Sequence, residues 1–78
     1  MYTITNDANE PLYNAATFGD AMAWFYDRAI ITTSYQRRMV TERLCATGGH
    51  THITPGDPCP DEVFAPVANG YILHYAPN

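Results

Sequence analysis

The sequence predicts an α+β fold, a small antiparallel sheet with one or two helices packed on one face. Three observations carry that expectation. Tyr2-Thr3-Ile4-Thr5 alternates β-branched and aromatic residues as a strand does. A capped, amphipathic stretch from Thr17 to Arg28 reads as a helix. Near the end, Val63–Val67 and Tyr71–Tyr75 flank Ala68-Asn69-Gly70 and read as a hairpin. The 78 residues are read as a single small domain, 1–78, with 46% apolar and 15% charged residues. That composition is too apolar for a disordered chain. No apolar run approaches the roughly 18 residues of a membrane span. Met1-Tyr2-Thr3-Ile4-Thr5 has neither a basic start nor an apolar signal core, so a cytoplasmic protein is expected.

Each element has its own local logic. After the first strand, Asn6-Asp7-Ala8-Asn9-Glu10-Pro11 is turn chemistry, and Leu12-Tyr13 can return as a short second strand. Thr17 is the expected helix N-cap, with Asp20 three residues on. Phe18, Ala21, Met22, Phe25 and Ala29 share one stripe of a 3.6-residue period, with Asp20, Ala23 and Asp27 opposite. Trp24 and Tyr26 flank the stripe, and the run Ile30-Ile31-Thr32-Thr33 should end the helix. Residues 35–46 are rich in helix formers that Ser34 could cap, with Thr47-Gly48-Gly49 as the stop. The apolar Tyr35, Met39, Val40 and Leu44 share no tidy face, so a strand through Met39–Cys45 is the alternative to the helix we favour. Gly48 to Pro60 reads as a long loop. In the final hairpin a two-residue Asn69-Gly70 turn would set Phe64 against Tyr75, Pro66 against Leu73 and Ala68 against Tyr71, all facing one side. Val67 and Ile72 would then pair on the other side, Pro66 would hold its strand at a sheet edge, and Tyr2–Thr5 would sit beside Tyr71–Tyr75, tying the termini together.

Charge is segregated along the chain. Asp7, Glu10, Asp20 and Asp27 precede the first base; Arg28, Arg37, Arg38 and Arg43 follow against Glu42; Asp57, Asp61 and Glu62 close the sequence. The net charge of −4 argues against direct binding of nucleic acid and for a basic protein partner, although it also serves solubility.

Four residues have metal-binding chemistry: Cys45, His50, His52 and Cys59, spaced C-x4-H-x-H-x6-C. The spacing matches no zinc finger or knuckle, so solvated histidines and free thiols are expected, with no metal and no other cofactor. A Cys45–Cys59 disulfide would contribute about 3 kcal/mol by loop entropy, but the expected reducing compartment disfavours it. A Cys–His nucleophilic pair lacks a recognisable orienting group and oxyanion hole. Asp61 and Glu62 are adjacent and would point apart on a strand, which disfavours paired acid–base work. The chain is therefore read as non-enzymatic. Its aromatic surplus of Tyr2, Tyr13, Trp24, Tyr26, Tyr35, Tyr71 and Tyr75 suits either a small core or interface anchors. The candidate partner-binding residues are Asp20, Trp24, Tyr26, Asp27, Asp57, Asp61 and Glu62.

Tyr2–Asn6, the segment TFGDAMAWFYDR (Thr17–Arg28) and Ala68-Asn69-Gly70 together carry a resemblance to small proteins of bacteriophages and mobile elements. In kind the chain is similar to anti-CRISPR proteins, which inhibit CRISPR–Cas complexes by binding their surfaces. The resemblance implies an inhibitor acting in the host cytoplasm on a host protein or nucleoprotein complex, a Cas protein being the suspected target. It implies a monomer or weak homodimer with no membrane contact. Anti-CRISPR proteins share no common motif, so no functional residue is carried over. A zinc-clipped, phage structural or antitoxin-like interaction protein is the alternative.

Overall fold

The computed structural model describes residues 1–47 and 62–76. In chain order these form β1 (Tyr2–Thr5), β2 (Pro11–Ala15), α1 (Phe18–Asp27), α2 (Ser34–Thr47), β3 (Val63–Val67) and β4 (Tyr71–Tyr75), with a short 3-10 turn at Ala68–Gly70. The strands form one antiparallel sheet in the order β2-β1-β4-β3. The helices pack on one face of it, so the α+β expectation holds. β1 lies beside β4, as expected, and Pro66 sits in an edge strand.

The β1–β2 turn is built by Asn6. Its Oδ1 accepts from the backbone N–H of Ala8 and of Glu10, each at 3.0 Å. Asn9 takes a left-handed φ of 62°, which Asn tolerates better than most residues.

α1 begins as its sequence indicates: Thr17 is extended, and its Oγ1 accepts from Asp20 N at 3.1 Å. Phe18, Ala21, Met22 and Phe25 are buried as a stripe. The helix then stops at Asp27 in a Schellman motif. Ala29 N donates to Tyr26 O at 3.1 Å and Ile30 N to Phe25 O at 3.0 Å. Ala29 adopts φ 55°, a conformation that favours glycine, and is exposed rather than part of the stripe. Ile30 and Ile31 turn back into the core beyond the cap. Ala29→Gly should therefore raise stability by about 0.5–1 kcal/mol, read as a higher urea midpoint. An unchanged or lower midpoint would count against this cap.

Residues 34–47 are helical, which decides for the helix over the strand alternative. The cap is Thr33 rather than Ser34. Thr33 Oγ1 accepts from Gln36 N at 3.2 Å, and Gln36 Oε1 accepts from Thr33 N at 3.1 Å and from Thr32 N at 2.7 Å. This is a reciprocal capping box. Val40 is the buried residue of α2, with Leu44 packed partly against the core. The helix lies along the edge of β3, so it presents a narrow inner stripe. Arg43 Nη1 donates to Pro66 O at 3.1 Å. Thr47 Oγ1 donates to Phe64 O at 2.8 Å, with Arg43 O as its alternative acceptor at 3.0 Å.

The hairpin register is one residue away from the expected one. The turn spans three residues, Ala68–Gly70, so Phe64 pairs with His74, Ala65 with Leu73 and Val67 with Tyr71. Strand period is two, so this single step exchanges the faces. Val63, Ala65 and Val67 are buried, whereas Phe64 and Pro66 face away from the helices. Gly70, at φ 78°, closes the turn, and a Cβ there would lie 2.5 Å from Asp7 Oδ2. A three-residue turn ending in a left-handed glycine is the common alternative to the Asn-Gly two-residue turn.

The largest fully buried side chains are Phe25, Ile4, Met22, Ile31 and Leu73. Tyr2 packs edge-on to Phe18 and against Tyr75. Burial, then the nearby Tyr75 and Cys45, hold the Tyr2 hydroxyl above its ordinary pKa of 10.0. Folding therefore favours the neutral phenol. This contribution is complete below pH 10 and is lost as pH rises from there through the raised folded value. Alkaline denaturation followed by far-UV signal should show the loss, and Tyr2→Phe should flatten it; an equally steep loss in Tyr2→Phe would contradict the assignment.

Candidate protein-binding surface

The acidic residues of α1 lie on its outer side because the apolar stripe commits the inner side to the sheet. Asp20 and Asp27 are both exposed. Asp20 sits in the first turn, where the positive end of the helix dipole favours a carboxylate. Asp27 is the last helical residue, and no basic residue occupies that turn. A carboxylate there opposes the dipole and costs helix stability. Among the described residues, the ion pair is Arg38–Glu42 at 3.0 Å, and no cation approaches Asp20 or Asp27 within 4.0 Å.

The two aromatic flanks differ. Trp24 is half-buried and completes the core's rim. It stacks on Tyr13 at 6.1 Å and meets Phe25 and Tyr71 edge-on at 5.6 and 5.9 Å. The Arg28 guanidinium covers the Trp24 ring at 4.1 Å, and its Nη1 donates to Trp24 O at 3.3 Å. Arg28 is thus turned along the helix toward Trp24. Tyr26 keeps an exposed ring while its hydroxyl donates to Thr33 O at 3.2 Å, tying the end of α1 to the start of α2. The fold therefore brings Asp20, Trp24, Tyr26 and Asp27 onto one helix, with Tyr26 and the two acids accessible.

Glu62 is elsewhere. It borders a shallow depression of about 660 Å³ together with Thr3, Thr5, Phe64 and His74. These residues alternate with the buried Tyr2, Ile4, Ala65 and Leu73, so this depression lies on the sheet face opposite the helices. There Thr5 Oγ1 is 3.0 Å from His74 Nε2, and Phe64 leans on His74 at 6.2 Å. Asp57 and Asp61 lie outside the described residues. So do His50, His52 and Cys59; Cys45 is half-buried on α2. Among the described residues, no three His, Cys, Asp or Glu side chains are grouped to hold a metal ion, and no helix is long and apolar enough to cross a membrane.

The sequence reading missed Arg28 as a cover for Trp24 and missed Phe64 as an exposed aromatic. The i, i+4 spacing of Trp24 and Arg28 was a usable signal for the first. For the second, the alternation of Val63, Ala65 and Val67 competed with that of Phe64 and Pro66, and the longer turn decided between them. Comparison of the chain with protein-family models, with curated proteins and with solved structures gives no match.

Proposed function

We propose that this protein is a non-enzymatic inhibitor that binds a basic surface of a host CRISPR–Cas nucleoprotein complex through α1 and blocks it sterically in the host cytoplasm. Asp27 carries this reading. A carboxylate at a helix C-terminus, with no cation within 4.0 Å among the described residues and the adjacent Arg28 turned onto Trp24, weakens the fold that holds it. Local conflicts of that kind tend to mark functional positions. Asp20 extends the same charge to the other end of α1, and Tyr26 supplies an exposed ring between them. Such carboxylates steer a basic partner, and an amphipathic ring gives the contact an anchor of low entropic cost.

The test is a pull-down with the tagged protein from a CRISPR-bearing host lysate, read by mass spectrometry, beside the Asp20→Ala/Asp27→Ala variant. Cas subunits should be enriched by the wild-type chain and depleted with the variant. Recovery of no Cas protein, or equal recovery by both chains, would overturn the proposal.

A further inference from the structure

The two edges of the sheet are finished differently. Ala76 N donates to Met1 O and the Met1 amine to Ala76 O, both at 3.0 Å, while Asn6 N donates to Glu10 O at 3.2 Å. Backbone groups alternate sides along a strand. Met1, Thr3 and Thr5 therefore direct theirs to β4, and Tyr2, Ile4 and Asn6 direct theirs to β2. Tyr2 is opposite Ala15 and Ile4 is opposite Tyr13, so Ala15 and Tyr13 pair inward. Asn14, between them, sends both its N–H and its C=O out of the sheet edge.

Carried across β4, the same alternation points Phe64 and Pro66 outward on β3. That edge is largely closed: Pro66 has no N–H, Arg43 Nη1 occupies Pro66 O and Thr47 Oγ1 occupies Phe64 O, which leaves the Phe64 N–H outward. Among the described residues, no side chain bonds the Asn14 backbone, and residues 11–14 are exposed.

We infer that the β2 edge binds an extended, lysine- or arginine-bearing segment of another protein by strand addition at Asn14. Main-chain bonds to an open edge give such docking its affinity. The charge selects the occupant. α1 packs against β2 and carries the exposed Asp20 and Asp27, the exposed Glu10 immediately precedes β2, and residues 1–27 hold no Lys or Arg. A second copy, itself at −4, would bring like charges together, whereas a basic strand complements them. Arg28, the next residue along, is folded over Trp24. This inference rests on the reading of the α1 side as the partner-facing side and names the backbone contact made there.

The probe is a synthetic peptide alternating threonine or valine with lysine. Its controls are the same peptide N-methylated at alternate amides and a glutamate-for-lysine version. Hydrogen exchange by NMR reads each amide of the full chain. The lysine peptide should slow exchange at Asn14, and both controls should lose that protection. Asn14→Pro removes the outward N–H and the Thr3 Oγ1–Asn14 Oδ1 bond of 2.9 Å but leaves the β1–β2 backbone bonds in place, and should weaken binding about tenfold. The N-methylated peptide reads the same contact if that variant folds poorly. Binding that survives N-methylation and Asn14→Pro but is lost in Asp20→Ala/Asp27→Ala would overturn strand addition while leaving the helix reading intact. Absence of peptide binding would also overturn it. So would Asn14 protection that grows with protein concentration alone, because the occupant would then be a second copy.

Discussion

Phe25→Ala should lower the stability of this domain by about 3–5 kcal/mol, close to everything a chain of this size holds. Phe25 is fully buried in the stripe of α1, and its ring meets Trp24 at 5.6 Å and Tyr71 at 6.3 Å. It also supplies the carbonyl that accepts from Ile30 N in the helix stop. Truncation leaves a cavity between helix and sheet that neighbours anchored on both sides fill poorly. Thermal unfolding should show either a midpoint many degrees lower or no cooperative transition. An unchanged midpoint would mean that the stripe does not hold α1 to the sheet.

Trp24→Ala is expected to cost about 2–3 kcal/mol, less than Phe25→Ala because Trp24 is half-buried. The loss combines the edge-on contacts with Phe25 and Tyr71, the stack on Tyr13 and the Arg28 cover. Urea unfolding of Trp24→Ala and Trp24→Phe should separate these contributions, with Phe retaining most of the stability. If Trp24→Ala unfolds like wild type, the ring contributes little to the fold and is free to serve as an anchor. The expected destabilisation makes Trp24 a poor probe of binding, because lost affinity would follow from lost structure. Tyr26 and the two acids are better probes.

The sheet, α1 and the neighbouring positions of β1 and β4 were legible in the sequence because each rests on local signals that agree. Alternation, a cap and a 3.6-residue stripe all point to the same buried set of Ile4, Phe18, Met22, Phe25 and Leu73. α2 was ambiguous for a physical reason: a helix laid along a strand edge buries little beyond Val40, so its pattern is faint. The capping box at Thr33 and Gln36 was present in the sequence, one residue ahead of the expected cap. The hairpin register was misread because Asn69-Gly70 supports a tight turn locally. The turn takes one residue more, which puts the valines of β3 inside and Phe64 outside. Of the candidate surface, the residues of α1 were visible as a helical face. Their separation from Glu62 was not, because it depends on which side of the sheet the strand leading from Glu62 presents.

The central claim is that the carboxylates of α1 serve binding rather than stability. Its most direct test is the affinity of purified protein for an isolated CRISPR–Cas complex, measured by titration calorimetry for wild type and Asp20→Asn/Asp27→Asn, with unfolding midpoints recorded on the same samples. At Asp27, removing the charge relieves the helix dipole by about 0.3–1 kcal/mol, while at Asp20 it forfeits a similar amount, so the midpoints should nearly coincide. Affinity should fall about tenfold, as expected when two carboxylates facing a basic surface lose their charge. Equal affinities for the two chains, or no binding by either, would contradict the account.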